Sequence, residues 1–246
     1  MSIQMRMTFA AVVLGAVAAG VWLASLYRAP PNNAVTLVFK ARVGDQPLVF
    51  NKYNYANPGG PGEFKIRDFR FYISNIKLYG EESEHVETNS YHLARFDNEQ
   101  TAFSIVLEDV VLDEINKIRL SIGVDPDANS SIEPVGDLDP NSKMAWNWEV
   151  GYKFVLLEGV IRINNQLHPL VYHIGFEENR RDLEFDAPES VSLSDGKKIQ
   201  FTVDAMKLFT GTSQINIADI QSVKFDKTDA RLFANNYQKM IIAAWD

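Results

Sequence analysis

Four histidines, two closely spaced tryptophans and a run of short acidic side chains are the residues of this chain with metal or redox chemistry to offer. The histidines are His85, His92, His168 and His173. None forms the H-E-x-x-H spacing that sets two zinc ligands and a base on one helical turn. Glycine-rich phosphate loops are equally absent, since Asn57-Pro58-Gly59-Gly60-Pro61-Gly62 lacks the Lys-Ser/Thr pair and the helix that would follow. No G-x-S-x-G nucleophile elbow occurs either. Oxygen-rich loops and scattered imidazoles do not make a converging acid–base constellation, so the chain is expected not to be an enzyme.

The densest chemistry lies between Ser121 and Phe154. Asp125, Asp127 and Asn129 alternate as in an oxygen-ligand calcium loop, but the sixth position is Ser130 rather than Gly and the twelfth is Gly136 rather than Glu. A looser calcium site adding Asp137 or Asp139 competes with a solvated Asx-rich turn. Trp146-Asn147-Trp148 follows. On a strand the two indoles face the same side, giving a flat apolar surface with two N–H donors that need partners. Core packing in a sandwich of sheets is the simplest account of such a pair.

The chain has 246 residues and a formal net charge of −8, with 46% hydrophobic residues, the composition of an ordinary globular protein. Setting aside Arg6 and Arg28 leaves 22 basic against 32 acidic residues, a balance of −10 for everything after residue 28. A surface of that sign repels a phosphate backbone, so nucleic acid is excluded as a partner. The absence of cysteine removes disulfides, thiolate metal sites and a Cys nucleophile. Met7 to Tyr27 is a run of 21 uncharged residues, as a helix roughly 30 Å long and enough to cross a bilayer. Residues 1–28 are therefore expected to be a signal anchor, or a signal peptide with Ala16-Val17-Ala18 at its cleavage site. Either exports the rest, to the periplasm or the cell exterior, with membrane attachment through residues 7–27. Residues 29–34, with Pro30 and Pro31, read as a linker.

From residue 35 onward the apolar period is two. Val35 to Val43 alternates cleanly, and strands are expected at 46–50, 68–79, 90–96, 102–107, 115–122, 152–163, 167–174, 190–193 and 198–204. In 68–79 the apolar phase slips between Ile73 and Ile76, the mark of a bulge. One helix is expected over 230–244, with Asp229 as its N-cap. The fold class is all-β: a two-sheet β-sandwich, Ig-like or related, over residues 35–246, with a short C-terminal helix.

Several blocks carry a family resemblance. They are Phe69 to Leu78, Ile122-Gly123-Val124-Asp125 with Asn129, Leu138-Asp139-Pro140, Met144 to Phe154, Leu157-Glu158-Gly159 and Tyr172-His173-Ile174-Gly175. In that order they resemble the methanobactin-partner copper-protein family, with its MbnP-like domain, especially variants of Bacteroidetes, over about Val35 to Met240. The resemblance implies an extracytoplasmic β-rich copper binder acting in acquisition, storage or delivery. It also implies a histidine ligand and a kynurenine ligand, the latter made from tryptophan by a partner dihaem peroxidase of the MbnH type. Imidazole suits copper, and opening an indole ring yields an aromatic amine, a usable nitrogen donor. His173 is the histidine best placed by the match, Trp146 and Trp148 both lie in the matching motif, and His92 is a further candidate. Copper-binding members carry a histidine directly after the Asn of the Gly-Val segment, whereas this chain has Ser130. His168 and His173, five positions apart, face opposite sides of a regular strand. The competing expectation is a non-catalytic interaction module, calcium-stabilised through Asp125, Asp127, Asn129, Asp137 or Asp139, with no copper site.

Overall fold

Burial of alternate residues from Val35 through Phe39, resumed at Val43, builds the first strand, and the same period recurs along most of the chain. The computed structural model describes residues 34–53, 55–131, 135–147, 151–193 and 196–245. The expected signal or anchor helix, most of the linker, and Trp148 lie outside the described residues. Among the described residues no helix is long and apolar enough to cross a membrane.

In chain order the strands are β1 (Val35–Val43), β2 (Gln46–Pro47), β3 (Tyr55–Ala56), β4 (Glu63–Tyr79), β5 (Glu84–Val86), β6 (Tyr91–Arg95), β7 (Ala102–Leu107) and β8 (Glu114–Ile122). They continue with β9 (Ala145–Asn147), β10 (Gly151–Ile163), β11 (Gln166–Gly175), β12 (Arg181–Ser192), β13 (Lys198–Asp204), β14 (Ser222–Val223) and β15 (Ile241–Ala244). Among the described residues the α-helical segments are α1 (Pro126–Ser130), α2 (Lys207–Thr210) and α3 (Lys227–Tyr237). The smaller sheet runs β15-β13-β1, with β1 also pairing β2 and β7; its β1–β13 pair is parallel. The larger sheet is organised by β4. Arg70 and Phe71 pair with both β10 and β6, while Ile73 and Ser74 pair with both β8 and β6. A strand residue has one neighbour on each side, so β10 and β8 lie end to end along one edge of β4 and β6 lies along the other. Beyond β10 come β11 and β14; beyond β8 comes β12.

The inner faces of both sheets bury one continuous core that includes Leu37, Phe39, Phe69, Phe71, Tyr172 and Phe201. A second, smaller core sits on the outer face of the large sheet. There Tyr72, Leu93, Tyr152, Phe154 and Leu156 are covered by Val124, Leu138 and Met144 from the connection between β8 and β10. Gly123 marks the junction where β8 gives way to β10. Its φ is 113°, and a Cβ there would lie 2.7 Å from the Phe154 ring, so only glycine lets the connection turn onto the outer face.

The bulge expected between Ile73 and Ile76 is present. The β4–β8 register shifts between Ser74 and Lys77, and Asn75 takes a φ of 54°. Three elements differ from expectation. Strand 46–50 shrinks to Gln46–Pro47, because Tyr55 Oη takes the Pro47 carbonyl and the Val49 N–H out of any ladder. Strand 190–193 is the tail of the twelve-residue β12, an edge strand whose many charges hide the alternation of Leu183 and Phe185. The expected helix 230–244 starts earlier and stops earlier. Asp226, not Asp229, is its N-cap, its side chain accepting from the Asp229 N–H at 2.8 Å. Ile241–Ala244 leaves the helix to pair antiparallel with β13, where its ladder groups are satisfied. The capping assignment predicts that Asp226→Ala costs about 1 kcal/mol in urea unfolding, with Asp229→Ala costing clearly less. Equal losses would reject it.

Candidate functional site

The outer face of the large sheet holds the candidate site, because strand parity sends specific residues there. On β10, Leu156 and Glu158 share that face, and His173 of β11 is the cross-strand partner of Leu156. Glu158 and His173 thus meet diagonally, with His173 Nε2 2.8 Å from Glu158 Oε1. A carboxylate only accepts, so Nε2 carries the proton and Nδ1 keeps its lone pair. Nδ1 has no hydrogen-bond partner among the described residues.

The His173 side chain retains 14% of its exposure, and burial pulls its pKa below the ordinary histidine range. Glu158 opposes that shift, while the nearby cations Lys153 and Lys224 reinforce it. The ring is therefore held as a neutral imidazole with one nitrogen tied to a carboxylate, the state in which histidine binds metals. Lys153 is itself buried, with its ammonium pKa lowered by desolvation. Its Nζ donates to the Lys143 carbonyl at 2.6 Å and tethers the β8–β10 connection.

The indole of Trp146 lies on the same strand end as His173. A Cβ on Gly175 would fall 2.6 Å from Trp146 Cζ3, so the benzene edge of the indole rests on the Gly175 backbone. Gly175 is two residues beyond His173 on β11, hence on the same face and roughly 6.6 Å away along the strand. Any side chain at 175 would lift the indole off. Trp146 also packs against Phe176 and Phe225, with ring centroids 5.3 and 5.4 Å apart, and Phe225 is 61% exposed. Phe176, Phe225 and Glu158 carried no motif of their own in the sequence beyond the short Leu157-Glu158-Gly159 match; tertiary placement alone reveals them as neighbours of the site.

The other candidate residues are dispersed. His92 pairs with Ile73, whose side chain is in the inner core, and bonds Glu87 through Nε2 at 2.9 Å. His92 and His173 are separated by three strand spacings, roughly 14 Å, and face opposite sides of the sheet. They cannot ligate one ion. His168 pairs with the inward-facing Ile161, on the side opposite His173, and His85 sits on the short β5.

The five oxygen candidates for calcium are each placed in a local role or on the surface. Asp125 caps α1 by accepting from the Ala128 N–H at 3.1 Å, and its second oxygen accepts from Tyr91 Oη at 2.6 Å. Burial would raise the Asp125 pKa, but these hydrogen bonds outweigh it and hold the carboxyl below its usual range. Asn129 Oδ1 accepts from the Tyr152 N–H, Asp137 from the Leu93 N–H, and Asp139 from the Asn141 N–H, each at 2.8 Å. Asp127 is exposed on α1. Among the described residues no three His, Asp or Glu gather at metal-binding spacing.

A β-sandwich whose larger sheet carries a second core on its outer face, with an imidazole, a carboxylate and an indole beside it, defines the class of this protein. The chain belongs to the MbnP family, whose sequence model matches residues 32–226. Its fold is similar to that of MbnP from Methylosinus trichosporium, with a TM-score of 0.56 at 13% identity, covering 85% of this chain and 97% of that one. No curated protein matches this sequence.

The surroundings of His173 predict a titration midpoint below the ordinary 6.5, read by NMR of the ring protons. Glu158→Gln removes the partner that favours the charged ring and moves the midpoint further down; Lys224→Gln removes a repelling cation and moves it up. The folded state thus binds the proton less readily than the unfolded chain, so this group costs nothing above pH 6.5 and destabilises as pH falls through that value. A midpoint at or above 6.5 would contradict the burial account.

Proposed function

We propose that this protein is a non-enzymatic, extracytoplasmic copper-binding protein acting in acquisition, storage or delivery, attached to the membrane through residues 7–27. Its donors are His173 Nδ1 and a nitrogen derived from Trp146 or Trp148. The observation that carries the reading is the placement of His173, oriented by Glu158, on the same sheet face as an indole resting two residues away on Gly175. Family membership supports it.

The donor chemistry fits in kind. A neutral imidazole with one nitrogen on a carboxylate is the arrangement that fixes a metal ligand's tautomer and orientation. An unmodified indole is a poor ligand, so the second donor requires oxidation. Cleavage of the indole C2–C3 bond places one oxygen on each carbon, drawn from dioxygen or from peroxide with release of water. Hydrolysis then removes C2 as formate and leaves the aromatic amine of kynurenine. A dihaem peroxidase of the MbnH type is the partner proposed for the oxidation. Bound copper would be the cargo, and the chain's own part is to present a neutral imidazole and keep the indole at the surface, where Phe225 and Phe176 flank it.

Protein purified from its native host is expected to show a mass increase from tryptophan oxidation and to retain copper on desalting. His173→Ala should abolish retention, Glu158→Gln should weaken it by about 10–100-fold, and His92→Ala should leave it unchanged. Retention should fall off at a lower pH than for an ordinary histidine ligand, because burial lowers the pKa of this imidazole. Copper bound equally well by folded His173→Ala, judged by an unaltered thermal midpoint, would reject the site. No copper retention by the unaltered protein, with no tryptophan oxidation, would instead favour a non-metal interaction module, for which the exposed Phe225 ring is the supporting feature.

A further inference from the structure

An arginine-lined cavity where the outer face of the large sheet meets β7 of the smaller one is not used by the copper reading and does not depend on it. Its volume is about 460 Å³, and Arg67, Arg70 and Arg95 face Asp68 and Asp97 across it. The excess of cations stands out in a chain with a net charge of −8.

Two backbone features assemble this charge. Arg70 of β4 and Arg95 of β6 are direct cross-strand partners. Like charges placed opposite each other in a sheet repel, and Asp68 beside Arg70 offsets the charge on one side of this pair. The second feature is a bulge. Glu158 pairs with Asp68 but Gly159 pairs with Ile66, leaving Arg67 as the extra residue of β4. Ile66 and Phe69 both point into the inner core, so the bulge sends two consecutive residues, Arg67 and Asp68, to the outer face. A regular strand would have buried one of them.

The three guanidinium groups are not equivalent. Arg70 is fully engaged: Nε and Nη2 clamp Asp68 at 2.7 and 2.5 Å, and Nη1 donates to the Ser142 carbonyl at 3.0 Å. Asp97 spends Oδ1 on the turn after β6, accepting from the Glu99 and Gln100 N–H groups at 2.8 and 2.6 Å. Its charge reaches Arg95 only through space. Arg67 and Arg95 are exposed, and among the described residues neither makes a hydrogen bond or ion pair. The cavity therefore presents two open forks beside one that is closed. Leu93, Phe96 and Phe103 add an apolar patch to its wall, and Gln100 a further polar group.

We propose that this cavity binds a small organic carboxylate, whose anionic head is held by Arg67 and Arg95 and whose apolar portion lies against Leu93, Phe96 and Phe103. Guanidinium forks match a planar carboxylate in two parallel hydrogen bonds, and a bound anion would meet the Arg67 and Arg95 charges that Asp68, engaged by Arg70, does not pair. The apolar wall separates this class from free inorganic oxyanions.

Calorimetric titration of the full chain in low-salt buffer with benzoate, acetate and inorganic phosphate tests the assignment. Benzoate should bind saturably and more tightly than acetate by at least about fivefold, from partial burial of its ring. Arg95→Gln and Arg67→Gln should each weaken benzoate by about tenfold, the equivalent of one lost charge-assisted contact. Arg95→Lys, which keeps the charge but not the fork, should recover only part of the loss. Lys117→Gln, on β8 and outside this cavity, should change nothing. Because Arg67 and Arg95 are exposed, these variants should fold normally, and an unaltered thermal midpoint checks it. No saturable binding of benzoate, equal binding in the Arg67→Gln/Arg95→Gln double variant, or binding of phosphate in preference to benzoate would each overturn the proposal. Copper retention by the same double variant should stay intact, so failure here and failure of the copper site are distinguishable.

Discussion

Burial of β10 on both faces is the constraint from which the rest of this structure follows. Val155, Leu157 and Ile161 point into the core between the sheets, while Tyr152, Phe154 and Leu156 point the other way and would be exposed apolar surface without a cover. The long connection between β8 and β10 supplies that cover, and it is held by polar contacts at several points. Arg70 binds the Ser142 carbonyl, Lys153 the Lys143 carbonyl, Asp137 the Leu93 N–H and Asn129 the Tyr152 N–H. Asp137 and Asn129 of this segment thereby act as fasteners. A buried backbone group left without a partner is costly, and these side chains supply the partners that an irregular connection lacks.

The same arrangement leaves β11 only partly covered, and the candidate site occupies that margin. His173 lies just beyond the second core, largely buried, with its pKa lowered and a fraction of its side chain still exposed. Glu158 fixes the ring; Gly175 gives the indole a flat seat. Cations at Lys153, Lys224 and Arg70 surround the two carboxylates Glu158 and Asp68, so the outer face carries a local charge balance unlike the acidic remainder of the chain. Strand parity places Glu158 and His173 on this face, and the bulge at Arg67 adds the charges that open onto the neighbouring cavity.

Much of the fold was legible in the sequence. Val35–Val43, Ala102–Leu107 and Lys198–Asp204 alternate so regularly that their bounds coincide with the observed strands. The phase slip after Ile73 announced the bulge at Asn75 because a bulge is the one device that moves apolar residues to the other parity. The C-terminal segment misled for a physical reason. Ala230 to Tyr237 has helical periodicity, and Ile241 and Ala244 prolong it by chance, yet the open edge of β13 offers those residues a ladder that a helix end cannot match. The strand over 181–189 was missed because an edge strand needs only one apolar face and dilutes its signal with charge.

Composition, alternation and the ordered blocks of residues determined by themselves that this is an all-β chain of the MbnP family, and singled out His173 and the tryptophan motif as candidate residues. These properties are local: they are written in period, residue type and spacing. Only the tertiary structure decided that Glu158 holds His173, that Trp146 lies on Gly175, that His92 is across the sheet on the other face, and that Arg67 is turned outward beside Arg95. Each of those facts depends on register between strands distant in the chain, and register is set by the sum of pairings across a sheet, which no single segment contains.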